Sequence, residues 1–153
     1  MRTCGILMPV SSLPGPFGIG TLGKSAYAFV DFLKKAGQSV WQILPLSPTG
    51  FGDSPYQSCS AFAGNPYFID LALLQKDGLL KKSEYANISW GETDNRVDYA
   101  ALYHKRFAVL RKAFERFSVW YPDEYYHFCY ENNFWLEDYA LYMTIKQDHQ
   151  LKC

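Results

Sequence analysis

The sequence predicts a parallel α/β fold in its first half, giving way to helices in its second. Two apolar runs of strand length, Gly5–Val10 and Val40–Leu44, are separated by a segment of helical periodicity. That connection is long enough to lay the second strand parallel to the first. From Tyr103 onwards, large apolar residues recur at helical rather than strand spacing.

Taken in order, Gly5-Ile6-Leu7-Met8-Pro9-Val10 reads as a short buried strand, and the Pro/Gly/Ser-rich stretch Ser11–Gly23 as a loop. Ala26, Phe29, Val30, Leu33 and Ala36 repeat at helical spacing, and Gly37 supplies a stop, so a helix is expected over Ser25–Ala36. Val40-Trp41-Gln42-Ile43-Leu44 is nearly continuous in apolar character, as suits a parallel strand covered on both faces. The segment Pro45–Asn65 carries Pro48, Gly50, Gly52, Pro55 and Gly64 and reads as a long loop, a length that commonly serves function. Pro66–Asp70 is expected to form a brief strand and Leu71–Lys76 a short helix ending near Gly78. Ser83–Asn95 reads as irregular and polar. The stripe Tyr103, Phe107, Leu110, Phe114 and Phe117 repeats at helical spacing and predicts a helix. Pro122-Asp123-Glu124 starts another, with proline in the first turn and acids at the positive end of the dipole. A last helix is expected over Trp135–Gln147.

Fifteen basic residues balance fifteen acidic ones, so no net field draws the chain to nucleic acid or anionic lipid. The apolar runs are too short to cross a bilayer, and the N-terminal residues lack the pattern of a secretory signal. A cytoplasmic protein is expected. Cys4, Cys59, Cys129 and Cys153 are widely spaced and signal neither a zinc site nor a disulfide framework. His104, His127 and His149 share no motif and read as solvent-facing or core-satisfied.

Gly18-Ile19-Gly20-Thr21-Leu22-Gly23-Lys24-Ser25 matches both the dinucleotide fingerprint and the phosphate-loop pattern. Its context differs from both. A phosphate loop starts directly at the end of its strand, whereas Ser11–Phe17 intervenes here, and the second strand ends in Leu44-Pro45-Leu46-Ser47 without an acid for a ribose. Nucleotide binding at Gly18–Ser25 is therefore a minor alternative. In the preferred reading the glycines shape a tight turn and Lys24 sits at the solvated start of the helix.

A combined and ordered signal is stronger. Ser11-Ser12-Leu13-Pro14, Gly18-Ile19-Gly20, Leu22-Gly23, Trp41-Gln42-Ile43-Leu44-Pro45-Leu46, Gly52-Asp53-Ser54-Pro55-Tyr56-Gln57-Ser58 and Ser60-Ala61-Phe62-Ala63-Gly64-Asn65-Pro66 follow one another. Together they closely resemble the opening of the amylomaltase (disproportionating enzyme) family of 4-α-glucanotransferases. The resemblance continues more sparsely through Ile69-Asp70-Leu71, Val97-Asp98-Tyr99 and Leu136–Tyr142.

That resemblance implies the N-terminal part of a (β/α)8 TIM barrel with a helical insertion, the barrel being incomplete in this chain. Residues 1–80 would be its first β/α units, with a substrate-binding loop over 45–65, and 81–153 a mainly helical insertion or subdomain. It implies transfer of α-1,4-glucan segments, with retention of configuration, between maltooligosaccharides or starch-like glucans and a glucose or maltodextrin acceptor, with no cofactor. Retention needs two carboxylates roughly 5 Å apart across the glycosidic bond. The resemblance places these on later barrel strands, so Asp53, Asp70, Asp98, Glu137 and Asp138 are not assigned to them. What this chain would contribute is sugar binding: Tyr56 as an aromatic platform, with Ser54 and Asp53 beside it. Phe51 stands where the family often has a tyrosine of a second glucan groove. Asn65 reads as a turn former. A saccharide-binding fragment without catalysis is the alternative within the same resemblance.

Overall fold

The computed structural model describes residues 2–93 and 95–149. Two short strands, β1 (Gly5–Leu7) and β2 (Val40–Gln42), pair in parallel with Ile6 opposite Trp41. Helix α1 (Lys24–Lys35) makes the crossover between them. Then come α2 (Leu71–Lys76) and three longer helices, α3 (Tyr99–Phe117), α4 (Asp123–Glu131) and α5 (Asn133–Asp148).

The strands are shorter than the apolar runs suggest, and they are exposed rather than covered on both faces. The reason is geometric: a pair of strands served by one helix has too few neighbours to bury it. Trp41 makes the main bond between sheet and helix, setting its ring against Phe29 of α1 at 5.1 Å while its indole N–H donates to the Met8 carbonyl at 2.8 Å. Val10, Leu13 and Ala26 fill the small core behind it. The expected inward residue Val30 is instead exposed.

Pro66–Asp70 is not a strand. Pro66–Phe68 forms a 3-10 turn, because Asn65 accepts a hydrogen bond from the Tyr67 amide at 3.0 Å and Pro66 starts the turn with its φ already fixed. Asp70 then caps α2, one carboxylate oxygen accepting from the Ala72 and Leu73 amides.

The larger core joins Phe17 and Ile19 from the first loop, Tyr67, Leu71 and Leu80 around α2, and Tyr85 and Trp90 to Leu102, Val109 and Ala113 of α3. It crosses position 80, and two of its members lie in the stretch that reads as irregular and polar. Helix α3 turns Leu102, Arg106, Val109 and Ala113 inward, one residue round from the expected aromatic stripe. Phe107, Leu110, Phe114 and Phe117 instead line an adjoining apolar groove of about 480 Å³ with Leu74 and Leu79. The small Ala113 allows close approach at the core face, and the rings flank it.

Arg116 fixes the stretch after α2 to α3: its guanidinium bonds both oxygens of Glu84 at 2.8 Å and also the Leu79 carbonyl. Hydrogen bonding from Arg116, assisted by the Lys81 amide, lowers the Glu84 pKa to about 2. Among the described residues, no helix is long and apolar enough to cross a membrane.

Gly20 packs tightly against backbone, and its amide bonds the Ser11 carbonyl at 3.0 Å. A Cβ at Gly20 would stand 1.9 Å from the Val10 carbonyl oxygen and 2.8 Å from the Leu13 amide. Gly20→Ala is therefore expected to cost about 3 kcal/mol or more, since backbone cannot retreat as a side chain does. Gly37, at φ 70° with open space around it, should lose only about 1 kcal/mol on replacement by alanine. Urea denaturation of both variants checks the contrast, and equal losses would show that Gly20 is not in tight contact.

Candidate functional site

Parallel strands deliver their following loops to one end, and here both β1 and β2 lead into functional-looking loops at their carboxyl ends. The first begins at Met8, whose amide donates to the Gln42 carbonyl at 3.0 Å, and turns through Val10–Ser12. The second is Pro45–Asn65. Its neck is closed by the Asn65 amide donating to the Leu46 carbonyl at 2.7 Å, with Pro48 and Ala63 buried beside it.

Between the loops lies a cavity of about 270 Å³. Ser11, Ser12, Thr49, Asp53 and Tyr99 give it polar walls, and Val10, Leu46 and Phe68 give it an apolar floor. Such a mixed lining suits a ligand with both hydroxyls and a hydrocarbon face. Asp53 is half-buried there, and burial raises its carboxyl pKa. Its charge in turn raises Tyr99, after the larger effect of burial. Tyr67 is pushed up to about 12, by burial first and then by Asp53.

The four residues singled out in the sequence all lie on this loop, but they do not converge on one point. Asp53 alone lines the cavity. Ser54 is half-buried, its Oγ accepting from the Tyr56 amide at 3.3 Å in a serine turn. Tyr56 projects into solvent with 73% of its surface exposed, and Phe51 is fully exposed. The turn is closed on itself by the Gly50 amide to the Gln57 carbonyl and the Gln57 amide to the Ser54 carbonyl, both at 3.1 Å. Tyr99 and the Ser11-Ser12 pair complete the cavity. Sequence reading did not name them as site residues, although the Val97-Asp98-Tyr99 and Ser11-Ser12-Leu13-Pro14 blocks had marked their positions.

The glycine-rich segment is arranged differently from a phosphate loop. Thr21 Oγ1 donates to Asp70 at 2.6 Å, and a Cβ on Gly23 would fall 1.9 Å from the same carboxylate. A carboxylate thus sits beside the first turn of α1, where a phosphate would have to bind, and disfavours a second anion. Lys24 is exposed at the start of the helix. His104 and His149 are exposed, and exposed His127 pairs with Glu131 at 3.2 Å. Cys4, Cys59 and Cys129 are free thiols; Cys153 lies outside the described residues. Among the described residues, no cluster of three metal-binding side chains occurs.

A family model described as 4-alpha-glucanotransferase matches residues 8–153. The chain belongs to that family. Named relatives include a 4-alpha-glucanotransferase of Clostridium butyricum, 50% identical over 91% of this chain and 28% of the relative. Another, from Thermus thermophilus, is 46% identical over 97% of this chain and 29% of its own length. A solved amylomaltase from Streptococcus agalactiae, in complex with acarbose, superimposes with a TM-score of 0.94 at 48% identity, covering 99% of this chain and 31% of that one. The chain thus spans under a third of the length of these relatives.

Asp53 has φ 56°, alone in the left-handed region among the described non-glycine residues. Asp53→Gly and Asp53→Asn should therefore hold stability to within about 0.5 kcal/mol, whereas Asp53→Val should lose more than about 1 kcal/mol. Thermal unfolding checks this, and an undisturbed Val variant would mean that the left-handed turn is dispensable.

Proposed function

We propose that this chain is the N-terminal part of a 4-α-glucanotransferase that moves α-1,4-glucan segments between maltooligosaccharides or starch-like glucans. The supporting observation is the 48% identity, over nearly all of the chain, to an amylomaltase that binds acarbose. Acarbose mimics a maltooligosaccharide, and the likeness includes the strands and loops around the cavity.

In this reading β1, α1 and β2 are the first β/α units of a (β/α)8 barrel within residues 1–80, whose ligands gather at the carboxyl ends of its strands. Residues 81–153 form a helical insertion packed against them. Reaction with retention uses two carboxylates about 5 Å apart, one as nucleophile and one as acid and base. These lie outside residues 1–153 in the proposal, and no cofactor takes part. Glucose or a maltodextrin is the acceptor, and the proposed location is the cytoplasm.

The chain's own contribution is to hold sugar. The exposed ring of Tyr56 offers an apolar platform to a pyranose face. Ser54, bound through its Oγ to the turn, keeps a hydroxyl proton to donate to a sugar oxygen. Asp53 accepts from a sugar hydroxyl at the cavity edge. Phe51, which has no hydroxyl, can stack in a second glucan groove but cannot donate there.

The full-length form should convert maltotriose to glucose and longer maltodextrins, while residues 1–153 alone should not. Tyr56→Ala should lower turnover roughly fivefold, the effect a stacking contact of about 1 kcal/mol supplies. The control is Tyr130→Ala, because Tyr130 is exposed on α4. Chromatography of the products with time measures both. Turnover by residues 1–153 alone, or equal rates for the two alanine variants, would refute the proposed division of labour.

A further inference from the structure

We infer that Trp135 and Phe62 form an aromatic bracket through which α5 positions the glucan-binding loop, making both of them positioning residues for sugar recognition at Tyr56. The inference rests on the reading of Pro45–Asn65 as the glucan-binding loop.

Beyond its neck, that loop is built from two turns closed on themselves. The first is the Gly50–Gln57 turn that carries Tyr56. In the second, Ser60 Oγ accepts from the Phe62 and Ala63 amides at 3.2 and 3.0 Å, and Ser58 Oγ donates to the Ser60 carbonyl at 2.8 Å. These bonds fix the shape of each turn but not the direction in which the pair points. Contacts with other elements must do that.

Helix α5 supplies such contacts. Phe62 stacks on Trp135 with ring centroids 5.8 Å apart and planes 23° from parallel, and meets Phe134 edge to face at 5.3 Å. Cys59 Sγ approaches Met143 Sδ to 4.0 Å. The Trp135 ring is itself held, since its indole N–H donates to Asn132 Oδ1 at 2.9 Å and Tyr139 packs on it at 6.0 Å. Helix α5 buries none of its described residues in the core. Among the described residues, its rings at 134 and 135 both meet Phe62 of the loop. Phe62 lies six residues beyond Tyr56, with only the compact Ser58–Ser60 turn between, so a displaced Phe62 shifts the platform with it.

The test is a double-mutant cycle in the proposed full-length transferase, reading acarbose affinity by calorimetry alongside KM and kcat for maltotriose. Trp135→Ala should weaken acarbose about fivefold and raise KM more than it lowers kcat, and Trp135→Phe should restore most of the loss. In a Tyr56→Ala background, Trp135→Ala should cost nothing further, because the residue acts through the platform. Should Trp135→Ala fail to fold, Phe62→Leu enters the same cycle. Additive losses in the double variant, or unchanged affinity in the single one while Tyr56→Ala binds weakly, would overturn the bracket alone. Unchanged affinity in Tyr56→Ala would overturn the loop reading and the bracket together.

Discussion

The structure depends on one buried guanidinium. Arg106 is fully buried, and its terminal nitrogens donate to the carbonyls of Phe17 and Ile69 while its guanidinium carbon lies over Trp90 at 5.9 Å from the ring centre. Burial lowers its pKa to about 10, and the nearby Asp70 charge partly offsets this, so it remains charged at neutral pH. Only arginine offers donors at this reach in a fixed plane that can also stack on an indole. Its contacts gather the loop after β1, the turn before α2 and the Trp90 stretch onto one turn of α3. Removing it would leave two carbonyls and a large void in the core.

From that point the order of the site follows. Asp70, next to the carbonyl that Arg106 holds, binds Thr21 with one oxygen and caps α2 with the other. The glycine-rich segment is thereby packed into the fold, and the Val10–Ser12 turn is placed at one side of the cavity. On the other side, the 3-10 turn begun by Asn65 brings Phe68 under the cavity and closes the neck of the longer loop. Aromatic contacts with α5 then steady that loop from outside. The cavity is thus walled mainly by loops, held in place by contacts distant in sequence.

The strand, helix, strand order, the long loop and the later helices were all legible, because periodicity and glycine or proline punctuation are local signals. The turn at Pro66–Phe68 was not, since a short apolar run reads as a strand unless the capping role of Asn65 is recognised. The inward face of α3 lies one residue round from the large apolar stripe, whose spacing marks a helix but not its buried side. A fully buried arginine at 106, in register with Leu102, Val109 and Ala113, runs against the usual exposure of charged residues. Tyr56 and Phe51 were singled out through the family resemblance, and the structure leaves both side chains exposed on the loop. The left-handed Asp53 and the pairing of Phe62 with Trp135 depend on tertiary contacts that no short window of sequence contains.

In the proposed transferase, the loop after β2 presents Tyr56 to a glucan at the carboxyl end of the strands. A crystal structure of the full-length protein with bound acarbose tests this directly. The expected result is a ring of the ligand in van der Waals contact with the face of Tyr56, with hydroxyl groups reaching Ser54 or Asp53. Acarbose bound elsewhere, with Tyr56 still facing solvent, would contradict it.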